Sequence, residues 1–112
     1  MTIAELYKML PVDMDGITDY PVSVHYCGFS VPVYMDVCAD MEKDGVDITL
    51  EIRIVYSQEE AITAGALFAI CEHEDLDEGR LVFTFGPYVR AKKVKFNVTE
   101  GLVLDLEEEK LC

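Results

Sequence analysis

The two histidines of this chain each stand one residue from a cysteine, as His25-Tyr26-Cys27 and, in mirror order, Cys71-Glu72-His73. On an extended segment His25 and Cys27 would share a face. All four brought together would give a tetrahedral Cys2His2 zinc site, and a single thiol beside an imidazole would give a nucleophile with its base. Zinc motifs space their ligands by about two to four residues rather than one. Buried thiols and surface histidines are therefore the plainer expectation, and no metal or other cofactor is assigned.

Carboxylates are the other concentrated chemistry. The run Glu72-His73-Glu74-Asp75-Leu76-Asp77-Glu78 holds five of them in seven residues and directly follows an apolar segment that reads as a helix. A helix C-terminus disfavours negative charge by about 0.3–1 kcal/mol for each group, so stability alone would place lysine there. A second group, Asp36, Asp40, Glu42, Asp44, Asp47 and Glu51, falls on a hairpin pattern. Neither the 72–78 run nor Asp13-Met14-Asp15-Gly16 has the oxygen and glycine spacing of a calcium loop. Two readings remain: a solvated acidic surface, or carboxylates spaced like phosphates that occupy a nucleic-acid-binding groove on a basic protein. On the second reading the partner-binding residues are Glu72, Glu74, Asp75, Asp77, Glu78, Asp40, Glu42, Asp44, Asp47 and Glu51.

Charge over the whole chain supports a binding role. There are 22 acidic and 9 basic residues in 112, a net charge of −13. Residues 1–79 carry seventeen acids against three bases, whereas residues 80–112 carry five against six. Such a field repels nucleic acid and anionic membranes, so neither is expected to bind directly. Four of the bases, Arg90, Lys92, Lys93 and Lys95, fall within six residues. There they can answer acids of their own chain, guard an edge strand, or meet the acidic face of a second copy in a homo-dimer. No serine elbow, phosphate-cradling glycine loop or His-Glu zinc helix occurs, so the chain is not expected to be an enzyme.

The elements that must hold these groups follow from periodicity. Half of the residues are hydrophobic, and the length suits one domain, 1–112, with a core of its own. Thr2 and Glu5 form a capping box for a short helix that Pro11 stops. Strand alternation follows over 21–27, 30–39 and from Val46, where Val46, Ile48, Leu50, Ile52 and Ile54 face in and Asp47, Thr49, Glu51 and Arg53 face out. Ser57 with Glu60 predicts a second capping box, opening a nearly apolar helix over 58–71 whose Ala64, Gly65 and Ala66 would let it pack close on a sheet. Three more strands are predicted over 81–85, 92–98 and 102–106, with turns at Gly86-Pro87 and Glu100-Gly101. The predicted fold is α+β, an antiparallel sheet of five or six strands in two meanders with one central apolar helix and a short N-terminal helix. No apolar run approaches the roughly 20 residues of a membrane span, and no signal-like opening is present, so a cytoplasmic protein is expected.

The opening Met1-Thr2-Ile3-Ala4-Glu5-Leu6-Tyr7-Lys8-Met9-Leu10-Pro11 resembles the start of many small proteins of phages and mobile elements. As a compact acidic domain without catalytic residues, the chain is similar in style to phage anti-defence inhibitors, anti-CRISPR proteins among them. The resemblance implies an inhibitor acting in the host cytoplasm on a basic, nucleic-acid-binding protein, and carries over no functional residue. The alternatives are an assembly protein forming a homo-oligomer and a small metal-binding protein built on His25, Cys27, Cys71 and His73.

Overall fold

The computed structural model describes residues 1–11, 15–26, 28–42, 45–83 and 90–107, and over 39–42 and 45–47 it describes the backbone alone. In chain order the elements are α1 (Ile3–Met9), β1 (Val22–Tyr26), β2 (Phe29–Glu42), β3 (Gly45–Ile54), a 3-10 turn (Gln58–Glu60), α2 (Ala64–Glu72), a second 3-10 turn (Glu74–Leu76), β4 (Arg80–Phe83), β5 (Ala91–Asn97) and β6 (Gly101–Leu106). The strands form one six-stranded sheet in the order β4-β3-β2-β1-β6-β5.

The fourteen-residue β2 serves two partners in succession. Residues 29–32 pair antiparallel with β1, and residues 33–42 pair antiparallel with β3. Pro32 sits at the changeover, where a residue without an N–H is tolerated. Its carbonyl accepts from Val55 N–H at 3.0 Å, and the next carbonyl, of Val33, accepts from Ile62 N–H at 2.9 Å.

The sheet is mixed, which corrects the antiparallel expectation. β1 runs parallel to β6 and β3 runs parallel to β4, while the β1–β2, β2–β3 and β5–β6 pairs are antiparallel. The first predicted meander is present and the second is not. A parallel neighbour needs a long crossover, and the stretch from Val55 to Gly79, with α2 inside it, carries β4 back beside β3 instead of toward β5.

The capping boxes differ in outcome. Thr2 Oγ1 accepts from Glu5 N–H at 3.2 Å and caps α1 as the sequence predicts. Ser57 makes no side-chain cap, and only a 3-10 turn follows it. The helical residues begin six positions later than expected, where Thr63 Oγ1 accepts from Ala66 N–H at 3.2 Å. Tertiary pairing decides this: Ile62 N–H is taken by Val33, and Thr63 bridges Pro21, so both are held extended. Gly65 does allow a close approach, but to the loop residue Thr18, whose Cβ would lie 3.0 Å from an added methyl group.

α1 touches both ends of the strand order. Ile3 N–H donates to Gly79 O at 2.8 Å, and Leu81 N–H donates to Met1 O at 3.0 Å, which ties the chain start to β4. On its other side Glu5 pairs with Arg90, next to β5, at 3.7 Å. The sheet therefore curls, and both of its halves feed one core. Val22, Val24, Leu50, Ile52 and Leu104 are fully buried there together with Ile3, Leu6 and Leu67 of the helices. Each such side chain contributes about 1.5–3 kcal/mol.

The β5–β6 turn shows why the sheet needs its glycine. Gly101 has φ +79°, and an added Cβ would stand 2.2 Å from the carbonyl oxygen of Pro21. Gly101→Ala is expected to cost about 2–4 kcal/mol through strain and overlap, read as a lower urea midpoint at unchanged slope. An unchanged midpoint would contradict this close approach.

Candidate interaction surface

The predicted partner-binding residues come from two elements, and the parallel β3–β4 pairing brings the end of one against a strand of the other. Thr49 stands opposite Arg80, so the loop that precedes β4 must enter beside the start of β3. Gly79 fits against that strand because it has no side chain: a Cβ there would lie 2.8 Å from Ile48 O and 2.9 Å from Ile3 Cδ1. The loop itself is anchored through its backbone, with Asp77 O and Gly79 O accepting from Ala4 and Ile3 N–H. Backbone anchoring leaves the side chains free to face water. Glu72, Glu74, Asp75, Asp77 and Glu78 are all exposed.

The hairpin supplies the second acidic group. Asp40 opposes Asp47 in the β2–β3 register, and Asp36 opposes Glu51. Like charges at opposed positions weaken a strand pair, so stability does not explain them. Asp36 is neutralised within the chain by Arg53, whose guanidinium also lies 5.3 Å from the centre of the Tyr34 ring. Glu51 is half-buried, Asp44 lies outside the described residues, and Asp40, Glu42 and Asp47 are placed by their backbone. Arg53 pairs with Asp36, Arg90 with Glu5, and Lys93 with Asp105. Within the loop, His73 Nδ1 stands 4.0 Å from Asp75.

The basic strand answers both intramolecular expectations. β5 is the last strand of the order, and its lysines line an edge. Lys93 Nζ approaches Asp105 Oδ2 at 3.8 Å, while Asp105 Oδ1 meets His25 Nδ1 at 3.3 Å. These residues form one cross-strand row over β1, β6 and β5. Asp105 is only 7% exposed, and a carboxylate that deep needs such partners. The sequence reading missed this trio. Its available signal was one charge inside the apolar run Leu102-Val103-Leu104-Asp105-Leu106.

The zinc constellation does not assemble among the described residues, where no group of three or more metal-ligating side chains gathers. His25 is turned to Asp105, and Cys27 lies outside the described residues. Cys71 is buried in the core cluster, and burial pushes its thiol up to about 12, so it is neutral and unreactive at ordinary pH. Asn97 of the sequon-like Asn97-Val98-Thr99 shapes the β5–β6 turn: its Oδ1 accepts from Thr99 and Glu100 N–H at 3.1 and 2.7 Å. Among the described residues no helix is long and apolar enough to cross a membrane. Compared with protein-family models, curated proteins and solved structures, the chain matches none.

Glu100 supplies a pH dependence. The Asn97 amide, then the Ser30 hydroxyl, donate to its carboxylate and hold it below its ordinary value of 4.5. A carboxyl lowered on folding adds stability above its unfolded value and loses it as pH falls through the folded one. The stability difference between the parent protein and Glu100→Gln should therefore be complete at pH 7 and close below about pH 4.5 in urea titrations. A difference that does not change with pH would contradict the assignment.

Proposed function

We propose that this protein is a non-catalytic binding protein that presents its acidic end to a basic partner, acting as an inhibitor that occupies a nucleic-acid-binding site in the manner of phage anti-defence proteins. One observation carries the reading: the Thr49–Arg80 register brings Gly79, which ends the exposed acidic loop, against Ile48 in the second strand of the acidic hairpin. The carboxylates stand where helix dipole and strand pairing both oppose them, so a use outside the fold accounts for their presence. A surface of this kind attracts basic groups over roughly a Debye length, about 10 Å at 0.1 M salt, and speeds encounter with them.

A second reading, self-assembly, has its own support. Gln58 Nε2 donates to Thr99 O at 3.1 Å and so ties together the segments that bear Tyr56 and Val98. Those two side chains are 103% and 75% exposed. Exposed apolar side chains that lie together mark contact surfaces.

Capture from lysate on the immobilised protein tests both. The acidic-end reading expects basic proteins that elute as salt rises from 0.1 to about 0.5 M, as screening dictates. It also expects their loss on the triple change Glu74→Gln, Asp75→Asn, Glu78→Gln. Only salt-insensitive partners, or partners retained by the triple variant, would reject it. Sedimentation as a monomer at micromolar concentration would remove the second reading.

A further inference from the structure

A groove of about 490 Å3 lies where α1 passes the end of α2 and the loop that follows. Ala4, Tyr7, Lys8, Cys71, Glu72 and Asp77 line it. Its wall is apolar and its rim is charged. Cys71 contributes a buried, neutral sulfur, and Ala4 adds a methyl group. Tyr7 is held by stacking on Phe68, ring centres 5.7 Å apart, yet stays 39% exposed. Its ring is thus fixed in place and still open to contact. Glu72 and Asp77, with Lys8 as the single base, complete the lining.

We infer that this groove receives an arginine side chain of the basic partner, the aliphatic stem lying against Ala4 and Tyr7 and the guanidinium meeting Glu72 and Asp77. This rests on the acidic-end reading and names the group that the surface selects. Charge complementarity decides the class of occupant, because two acidic residues and one lysine line the groove inside a field of net −13. The ring decides between cations. A planar, weakly hydrated guanidinium stacks on tyrosine and pairs two-pronged with a carboxylate, whereas an ammonium is a compact and strongly hydrated point charge. The Lys8 ammonium lies on a long flexible stem and swings to water when the site fills.

Fluorescence anisotropy with labelled nona-arginine and nona-lysine peptides at low salt tests this. The arginine peptide should bind about tenfold more tightly than the lysine peptide, a difference of roughly 1.4 kcal/mol. Glu72→Gln/Asp77→Asn should weaken arginine binding and abolish that preference. Both positions tolerate the change: Glu72 is exposed at a helix C-terminus, and Asp77 bonds to Ala4 through its backbone carbonyl. A double variant of equal charge outside the groove, Glu74→Gln/Glu78→Gln, should weaken both peptides alike and keep the preference. Equal affinity for the two peptides, or equal effects of the two double variants, overturns the groove and leaves the acidic-end reading standing. If neither peptide binds at low salt, both readings fall.

Discussion

β2 makes the rest of the molecule possible by changing partners at Pro32. A strand of fourteen residues is too long to be covered along one flat sheet of short neighbours. By giving its first four residues to β1 and the rest to β3, it lets the sheet curl and close its apolar faces on a single core. The backbone groups freed at the switch are not wasted. Val55 and Ile62 donate to the carbonyls of Pro32 and Val33, which starts the crossover toward α2. That crossover returns β4 parallel to β3, and this placement sets the acidic loop beside the hairpin.

Electrostatics then divides the molecule. At one end, carboxylates stand after a helix C-terminus and at opposed positions of a strand pair, arrangements that cost stability. At the other, the buried Asp105 is clasped between the more exposed His25 and Lys93 in a row across three strands. The same side-chain type is thus buried with partners in one place and exposed to solvent in the other. The energy for carrying such a surface comes from the core, where each buried aliphatic side chain offsets several exposed repulsions.

Much of this architecture was legible in the sequence because alternation is a local signal. Val22 and Val24, then Leu50 and Ile52, point inward as their period-two pattern requires, and the Thr2–Glu5 box caps α1. The lysines of β5 also read correctly as guards of an edge. What the sequence hid was long-range. Ser57 and Glu60 imitate a capping box, but Val33 and Pro21 capture the next residues before a helix can form. Parallel pairing of β3 with β4 leaves no mark in their own alternation, and the near-continuous apolar run of β6, buried throughout beside β1, was read as one more antiparallel strand. For the same reason the His25–Asp105 contact, between residues eighty positions apart, could be noticed only as a charge out of place. The acidic groups were visible as composition, while their neighbourhood was fixed by that parallel register.

The account's central claim is that carboxylates on two distant segments form one outward surface. Backbone amide NMR during titration with an arginine-rich peptide tests it most directly. The account predicts shifts gathered at residues 72–80 and 45–51, with β5 and β6 unmoved. Shifts spread evenly over the surface, or gathered at residues 90–97, would contradict it.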